Sequence, residues 1–295
     1  MSAQSDSPFA ADLSDEAAAE GLRKISIPPC PAIVLALLEE SRRDEVDFVK
    51  ISRMIAGDVA LAAAVLKTAN SPFFALRRKV QSIQQAVAVL GLRNLLKIVY
   101  GFALRHSLGG GAAGLERFWE RSNYNAVVTS YLAARWPQVS ADDAYTFGLF
   151  HEAGVAVLTL QHADYGEVFA RACRTGGKVV AAETARYHTS HPVVGALLAR
   201  NWYLPETVVW AIRYHHDYSV LAGTRAHAPR PVQTLVALGL VSEHLVGCFL
   251  QEADDPEWHV GGAAALAFLG LEAEQSHQLL ETMRQDLQEI RAYRA

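Results

Sequence analysis

The segment Tyr145–Leu158, YTFGLFHEAGVAVL, is apolar except for a histidine and a carboxylate that stand side by side at His151 and Glu152. We predict that this segment is helical, because the helical repeat puts His151 on one face with apolar neighbours. Those neighbours are Ala144, Phe147, Val155 and Leu158. An imidazole within an apolar face is either a core histidine bonded to a backbone carbonyl or, beside a carboxylate, part of a metal-ligand pair. The segment alone leaves both interpretations open.

The composition predicts a globular protein. The chain has 295 residues, of which 51% are hydrophobic and 20% charged, and this is enough for one large domain or two small ones. A net charge of -4 without long single-sign runs argues against a nucleic-acid surface. The three cysteines are far apart and in no CxxC spacing, so we expect neither disulfides nor a cysteine metal site. No signal peptide or uninterrupted apolar span is evident, and we predict a cytoplasmic protein without a membrane segment.

Capping and breaking residues divide the chain into amphipathic helices. Three prolines at positions 28, 29 and 31 precede a predicted helix over residues 32–42, and Asp58 and Ser82 are typical N-cap residues. Nowhere does an alternating, β-branched run bounded by turns appear. We therefore predict an all-α fold of two helical lobes, the second resembling a helical bundle.

The glycine-rich segment GGGAAG, residues 109–114, is the clearest boundary between the lobes. We predict a loose tail over residues 1–21, a first lobe over 22–108, a hinge over 109–114, a second lobe over 115–218 and a helical extension over 219–295.

Three more histidines fall on apolar helix faces in the second lobe. His191 opens a predicted helix and shares its face with Gly195, Leu198 and Trp202, while His215 and His216 end the next helix. With His151 and Glu152 they form the kind of set with which facing helices of a bundle hold a metal ion.

These motifs resemble the HDOD domain, a relative of the HD and HD-GYP phosphohydrolases. The resemblance covers about residues 22–218. In the first lobe it rests on IPPCPAIVLALLEE, IAGDVALAAAVLKTANSPFF and VQSIQQAVAVLGLRNLLKIV; in the second it rests on FWERS, GLFHEAGVAVL, HPVVGALLARNWYLP and AIRYHH. The second set is similar to segments that hold metal and phosphate in catalytic relatives.

The chain departs from the catalytic pattern at several positions. Arg121 stands where the resemblance implies a ligand histidine, Glu152 replaces the HD aspartate, and an apolar residue near Val155 replaces a lysine. The last metal aspartate is expected around residues 237–241, where ALGLV has no carboxylate, and HHDYSVLAG replaces the GYP loop. A hydrolytic centre needs its full ligand set and an open position, so we expect no enzyme and no required cofactor.

The resemblance implies a non-catalytic bacterial signal-transduction or regulatory module that acts by binding a protein partner. In this interpretation His151, Glu152, His191, His215, His216 and Arg121 form a ligand or vestigial site. The alternative is a residual phosphohydrolase acting on a nucleotide or cyclic dinucleotide, with a divalent ion such as Fe, Mn, Zn or Ni on the same histidines and Glu152. A third interpretation, nucleic-acid binding, rests on basic residues that a solvated surface explains better: Arg77, Arg78, Lys79, Arg93, Lys97 and Arg105.

Overall fold

The computed structural model describes residues 25–70, 79–109, 115–174, 178–222, 228–252 and 255–294. Within these ranges every regular element is helical, which confirms the predicted all-α fold. The α-helices are α1 (Ala32–Ser41), α2 (Phe48–Ala56), α3 (Val59–Ala69), α4 (Ile83–Ser107), α5 (Glu116–Ala133), α6 (Ala141–Phe150), α7 (Ala153–Gln161), α8 (Tyr165–Arg174), α9 (Val179–Tyr187), α10 (His191–Asn201), α11 (Glu206–Tyr214), α12 (Arg230–Phe249), α13 (Pro256–Leu269) and α14 (Ala273–Arg294). A single 3-10 turn, Tyr218–Val220, follows α11.

The chain folds into two compact units. The first comprises residues 29–123 and 278–295, and the second comprises residues 1–28 and 124–277. The predicted tail and most of the predicted glycine-rich hinge, residues 110–114, lie outside the described residues, so that division of the chain stays a prediction.

Helix α4 organises the first unit, and α1, α2 and α3 pack against it. Ser82 caps its start, because Ser82 Oγ accepts from the Gln85 amide at 3.2 Å, and Gln85 Oε1 accepts from the amide of Gln81, one residue before the N-cap. Gly91 interrupts α4 with a φ of 67°, a conformation that suits glycine. The helix is therefore kinked at this position.

The second unit is built around α10 and α12. Helix α10 packs on α7 and α11, and α12 packs on α6, α11 and α13. Glycine permits the closest of these approaches: a Cβ at Gly154 in α7 would lie 2.0 Å from the carbonyl oxygen of His191. The first turn of α10 is therefore pressed directly against α7, and this contact brings His191 next to the segment Tyr145–Leu158.

That segment is not the single helix predicted for it. Helix α6 ends at Phe150 and α7 begins at Ala153, so His151 and Glu152 lie in a turn between them. On a regular helix two successive side chains point about 100° apart. The turn lets both side chains approach the same cluster, and it is held by packing with α10 that no local pattern encodes.

Among the described residues, two helices are long and apolar enough to cross a membrane by length and composition, namely Ile83–Ser107 and Arg230–Phe249. Buried core helices of globular proteins meet the same criteria. In the most apolar window of Arg230–Phe249, 78% of the residues are buried in the protein, as in a core helix.

Candidate metal centre

Side chains from four parts of the second unit converge on one cluster. The α6–α7 turn, the start of α10, the end of α11 and the middle of α12 each bring one or two of them. The members are His151, Glu152, His191, His215, His216 and Glu243.

Three imidazoles and one carboxylate form the first ligand group. The Nε2 atom of His191 lies 3.3 Å from Nε2 of His215 and 2.9 Å from Nε2 of His216. The Glu152 carboxylate lies 3.7 Å from each of these three imidazoles. One donor atom from each of the four residues falls within 4.8 Å of all the others. This spacing fits neutral imidazole and carboxylate ligands around one cation.

The second ligand group shares Glu152 with the first. It consists of His151, Glu152 and Glu243, and His151 Nε2 lies 3.0 Å from Glu243 Oε1. His151 is buried, whereas the side chains of Glu152 and Glu243 keep 19% and 16% of their surface exposed. The two groups therefore meet at a carboxylate that solvent reaches.

The Nδ1 partners determine which ring nitrogen faces the cluster. Nδ1 of His151 lies 2.9 Å from the Gly148 carbonyl oxygen, and Nδ1 of His215 lies 2.7 Å from that of Ile212. A carbonyl oxygen only accepts hydrogen bonds, so both Nδ1 atoms carry a hydrogen and donate it. In the neutral imidazoles the Nε2 lone pairs therefore point into the cluster.

Two outer carboxylates hold the other imidazoles in the same way. Nδ1 of His191 lies 2.8 Å from Glu183 Oε2, and Glu183 also accepts from the His191 amide and from the Tyr165 hydroxyl. Nδ1 of His216 lies 3.1 Å from Glu257 Oε2, which accepts from Tyr218 as well. Such outer partners orient metal-ligating histidines and raise their basicity.

The charges of the cluster shift several pKa values. Although burial favours the neutral carboxyl, His191, His215 and His216 hold the pKa of Glu152 well below its usual range. Burial likewise favours neutral imidazole at His216, but the Glu152 and Glu257 carboxylates raise its pKa to about 10. Burial and the neighbouring His216 lower the pKa of His215 to about 4. Glu152 is thus an ionised carboxylate at neutral pH, the form in which it would bind a cation.

At His151, in the α6–α7 turn, burial and a neighbouring carboxylate again shift the pKa in opposite directions. Burial alone would lower the pKa of this imidazole, but the Glu243 carboxylate outweighs it and raises that pKa. Burial would raise the pKa of Glu243, yet its bond to His151 lowers it. The pair is therefore a charged contact when no metal ion lies between the two groups.

The structure brings together five of the six side chains named from the sequence: His151, Glu152, His191, His215 and His216. Arg121 lies half-buried on α5. Of the basic residues considered for nucleic-acid binding, Arg93, Lys97 and Arg105 lie on α4, while Arg77 and Arg78 fall outside the described residues.

The expectation that α12 brings no carboxylate to the histidines is wrong, because Glu243 lies just past residues 237–241. Glu243 follows Gly239 by one helical turn, and Gly239 packs so closely on Phe147 that a Cβ would meet the ring at 2.6 Å. This packing is a tertiary contact that the sequence does not show. Glu183 and Glu257 were also missed. Glu183 is separated from His191 by a turn, and Glu257 is separated from His216 by the whole of α12, so helical spacing could not pair them.

The comparisons with known proteins agree with this architecture. A solved structure of an HDOD domain protein of unknown function from Geobacter sulfurreducens is 24% identical, covers 96% of this chain and 97% of its own, and has a TM-score of 0.68. A candidate phosphohydrolase from Shewanella amazonensis is 20% identical, with coverage of 96% and 100% and a TM-score of 0.71. At these identities the two structures share the fold.

Among curated proteins, an uncharacterised protein from Treponema pallidum is 27% identical over 220 residues. The match covers 72% of this chain and 40% of that relative, so the chain spans well under half of the relative's length. The sequence model of the HDOD domain matches residues 27–218, about two thirds of the chain, and this range includes the α6–α7 turn and the histidines of α10 and α11. The chain therefore belongs to the HDOD domain family.

Proposed function

We propose that this chain is a metal-binding regulatory module, in which the histidine and glutamate cluster holds divalent transition-metal ions and a protein partner receives the signal. Membership of the HDOD family supports the regulatory part, because the resemblance of the chain to this family implies signal transduction. The cluster supports the metal part. The protein-binding part follows from the expectation that the centre does not turn over a substrate.

One observation carries the metal assignment, namely that hydrogen-bond acceptors face each other inside the cluster. With Nδ1 donating outward, Nε2 of neutral His215 and Nε2 of neutral His191 present lone pairs to each other at 3.3 Å, and the contact of His151 Nε2 with Glu243 Oε1 at 3.0 Å is held by a proton when no ion is bound. Buried acceptors without a donor between them are costly. Either an added proton or a cation must lie there, and a cation relieves all of these contacts together.

The donor set indicates which ion fits. Three imidazoles with one carboxylate suit zinc, iron, nickel or manganese better than calcium or magnesium, which prefer oxygen ligands. We assign His191, His215, His216 and Glu152 to one ion, and His151 and Glu243 to a second ion that shares Glu152. A bound ion of this kind supplies Lewis acidity to an oxygen ligand.

The experiment that tests the metal assignment is elemental analysis of untagged protein purified without chelator. We expect near-stoichiometric transition metal in the wild type and its loss in His215→Ala, because that substitution removes a buried ligand. His106→Ala is the matched control, since His106 is an exposed histidine of the first unit. Equal, low metal content in the wild type and in His215→Ala would refute the assignment.

The partner assignment is tested with the same variants. Affinity purification from the producing cells should recover a specific protein with the wild type and with His106→Ala, and recover less of it with His215→Ala. If the wild type and both variants recover the same proteins in the same amounts, partner binding does not depend on the cluster.

A second candidate function, a metal-dependent phosphohydrolase, is favoured by the position of Glu152. This carboxylate is common to both ligand groups and remains partly exposed, and paired ions that share a ligand are a recurring arrangement for phosphate-ester hydrolysis. Metal-loaded protein would be assayed with bis(p-nitrophenyl) phosphate and with cyclic dinucleotides. We expect no turnover above that of His215→Ala, because Arg121 stands where the catalytic relatives are expected to have a further ligand histidine. Turnover that Glu152→Gln abolishes would establish the enzyme instead.

A further inference from the structure

Helix α13 lies beyond the residues that the HDOD model matches, yet it contacts the cluster. The match ends at Tyr218, whereas α13 spans Pro256–Leu269. Its second residue, Glu257, accepts hydrogen bonds from Nδ1 of His216 at 3.1 Å and from the Tyr218 hydroxyl at 2.5 Å. One carboxylate thus joins this C-terminal helix to an imidazole of the first ligand group.

Contacts at the start of α13 leave Glu257 little freedom to move. At the start of the helix Asp255 accepts from the Trp258 amide at 3.1 Å and, through its other oxygen, lies 2.9 Å from Nδ1 of His244 on α12. The Trp258 ring stacks on His244, with ring centroids 4.0 Å apart and planes 6° apart. These contacts fix the first turn of α13, and with it the position of Glu257, against α12.

One turn further on, at Gly261, α13 packs so closely that no side chain would fit between the helix and its neighbours. A Cβ at this position would lie 2.6 Å from the Tyr218 ring and 2.7 Å from Leu240. The backbone of α13 at Gly261 therefore lies directly against Tyr218, the residue that shares Glu257 with His216.

From these contacts we infer that Glu257 is a positioning residue for His216, and that docking of α13 and metal binding are coupled. The inference rests on the proposed metal centre. Glu257 directs Nε2 of His216 into the cluster, so loss of its carboxylate weakens the ion's hold, as removal of an outer partner typically does by about 10 to 100-fold. Coupling is reciprocal, so a bound ion stabilises the docked position of α13 by the same factor.

Metal affinity provides the first readout, measured with Zn²⁺ or Mn²⁺ and a competing chelating dye on the full-length chain. We expect Glu257→Ala to bind about 10 to 100-fold more weakly than the wild type. Glu257→Gln should bind with intermediate affinity, because its amide oxygen still accepts from Nδ1 but lacks the charge. Glu272→Gln is the control, since Glu272 is an exposed carboxylate just beyond α13.

Hydrogen exchange of the α13 amides provides the second readout, which a merely structural role for Glu257 would leave unchanged. Added metal should slow exchange across Pro256–Leu269 in the wild type and have little effect in Glu257→Ala. The Val59–Ala69 helix of the first unit is the internal reference. Gly261→Ala should weaken metal binding although every ligand and outer carboxylate remains, and if it fails to fold, the Glu257 variants still test the coupling.

The outcomes separate this inference from the proposed function. A wild type that binds no metal overturns both. A wild type that binds metal, beside a Glu257→Ala variant of equal affinity and an α13 whose exchange ignores the metal, overturns the coupling and leaves the metal centre standing.

Discussion

Glu183 is an outer carboxylate that holds His191, one of the candidate metal ligands, in place. Its side chain is fully buried and accepts from the His191 amide, the His191 imidazole and the Tyr165 hydroxyl. Burial would raise the pKa of this carboxyl, but His191 and its other donors lower it. Burial of Tyr165 and the nearby Glu183 charge raise the pKa of the Tyr165 hydroxyl. An ionised Glu183 is therefore satisfied on all sides, and its charge sits directly behind a ligand imidazole.

We predict that Glu183→Ala destabilises the protein by about 3 to 5 kcal/mol, because it leaves buried donors without their acceptor. Glu183→Gln should cost less, since an amide oxygen still accepts. Urea unfolding measures both, with Glu167→Ala on the exposed side of α8 as a control that should behave like the wild type. A Glu183→Ala protein as stable as that control would contradict the role given to Glu183.

Glu40 in the first unit gives a prediction about pH. Its buried carboxylate accepts from Lys50 Nζ at 2.7 Å and from the Asp47 amide at 3.1 Å, and these bonds lower its pKa to about 2. Because the folded pKa lies below the unfolded one, Glu40 stabilises the fold above about pH 4.5, and this contribution disappears as the pH falls towards 2.

The comparison of the wild type with Glu40→Gln in urea checks this sign. The difference in the free energy of unfolding should be largest at pH 5 to 7 and shrink steadily below pH 4.5. A difference that stays constant down to pH 2.5 would show that the Glu40 charge contributes nothing.

At the scale of the elements, the α7–α10 contact positions the histidine of α10 beside the α6–α7 turn. Gly154 and Gly195 form this contact, because a Cβ at Gly195 would lie 3.4 Å from the Gly154 amide nitrogen and 3.2 Å from Ile212. Only helices with small residues at facing positions approach this closely. The helix start at His191 is thereby held against the turn that presents Glu152.

Two matched glycine substitutions test this contact. Gly154→Ala should destabilise the protein by about 1 to 3 kcal/mol or more, because its methyl group would meet the backbone of α10. Gly166→Ala on α8 meets nothing within 4 Å and should stabilise by about 0.4 to 1 kcal/mol through the unfolded state. Thermal unfolding of both variants gives the signs, and a neutral Gly154→Ala would mean that the helices can separate without loss.

For the molecule as a whole, the proposed metal centre joins segments that are far apart in the chain. His151 and Glu243 are 92 residues apart, and His216 and Glu257 are 41 residues apart. A ligand that binds only the assembled cluster must therefore stabilise the second unit as a whole.

We predict that metal at about 100 times its dissociation constant adds about 2.7 kcal/mol of stability, equivalent to a rise in Tm of about 5 to 10 °C. Removal of the metal with a chelator should reverse the rise, and His215→Ala should show none. Differential scanning calorimetry measures all three, and an equal rise in His215→Ala would place the binding outside the cluster.

The amino-acid sequence by itself determined the helices and most of the candidate ligands. Caps at Asp58 and Ser82 form as predicted, because each needs only a side-chain oxygen and an amide three residues away. Helical periodicity likewise identified His191 and His215 as buried. These signals are local, so they are readable without the fold.

Only the tertiary structure decided how the site is completed. The turn at His151 and Glu152, the carboxylate of Glu243 and the outer partners Glu183 and Glu257 all depend on which helices pack together. A helical pattern shows that a side chain points inward, but it does not show what the side chain meets there. That depends on close approaches such as Gly154 on α10 and Gly261 on Tyr218, which bring groups tens of residues apart into hydrogen-bonding distance.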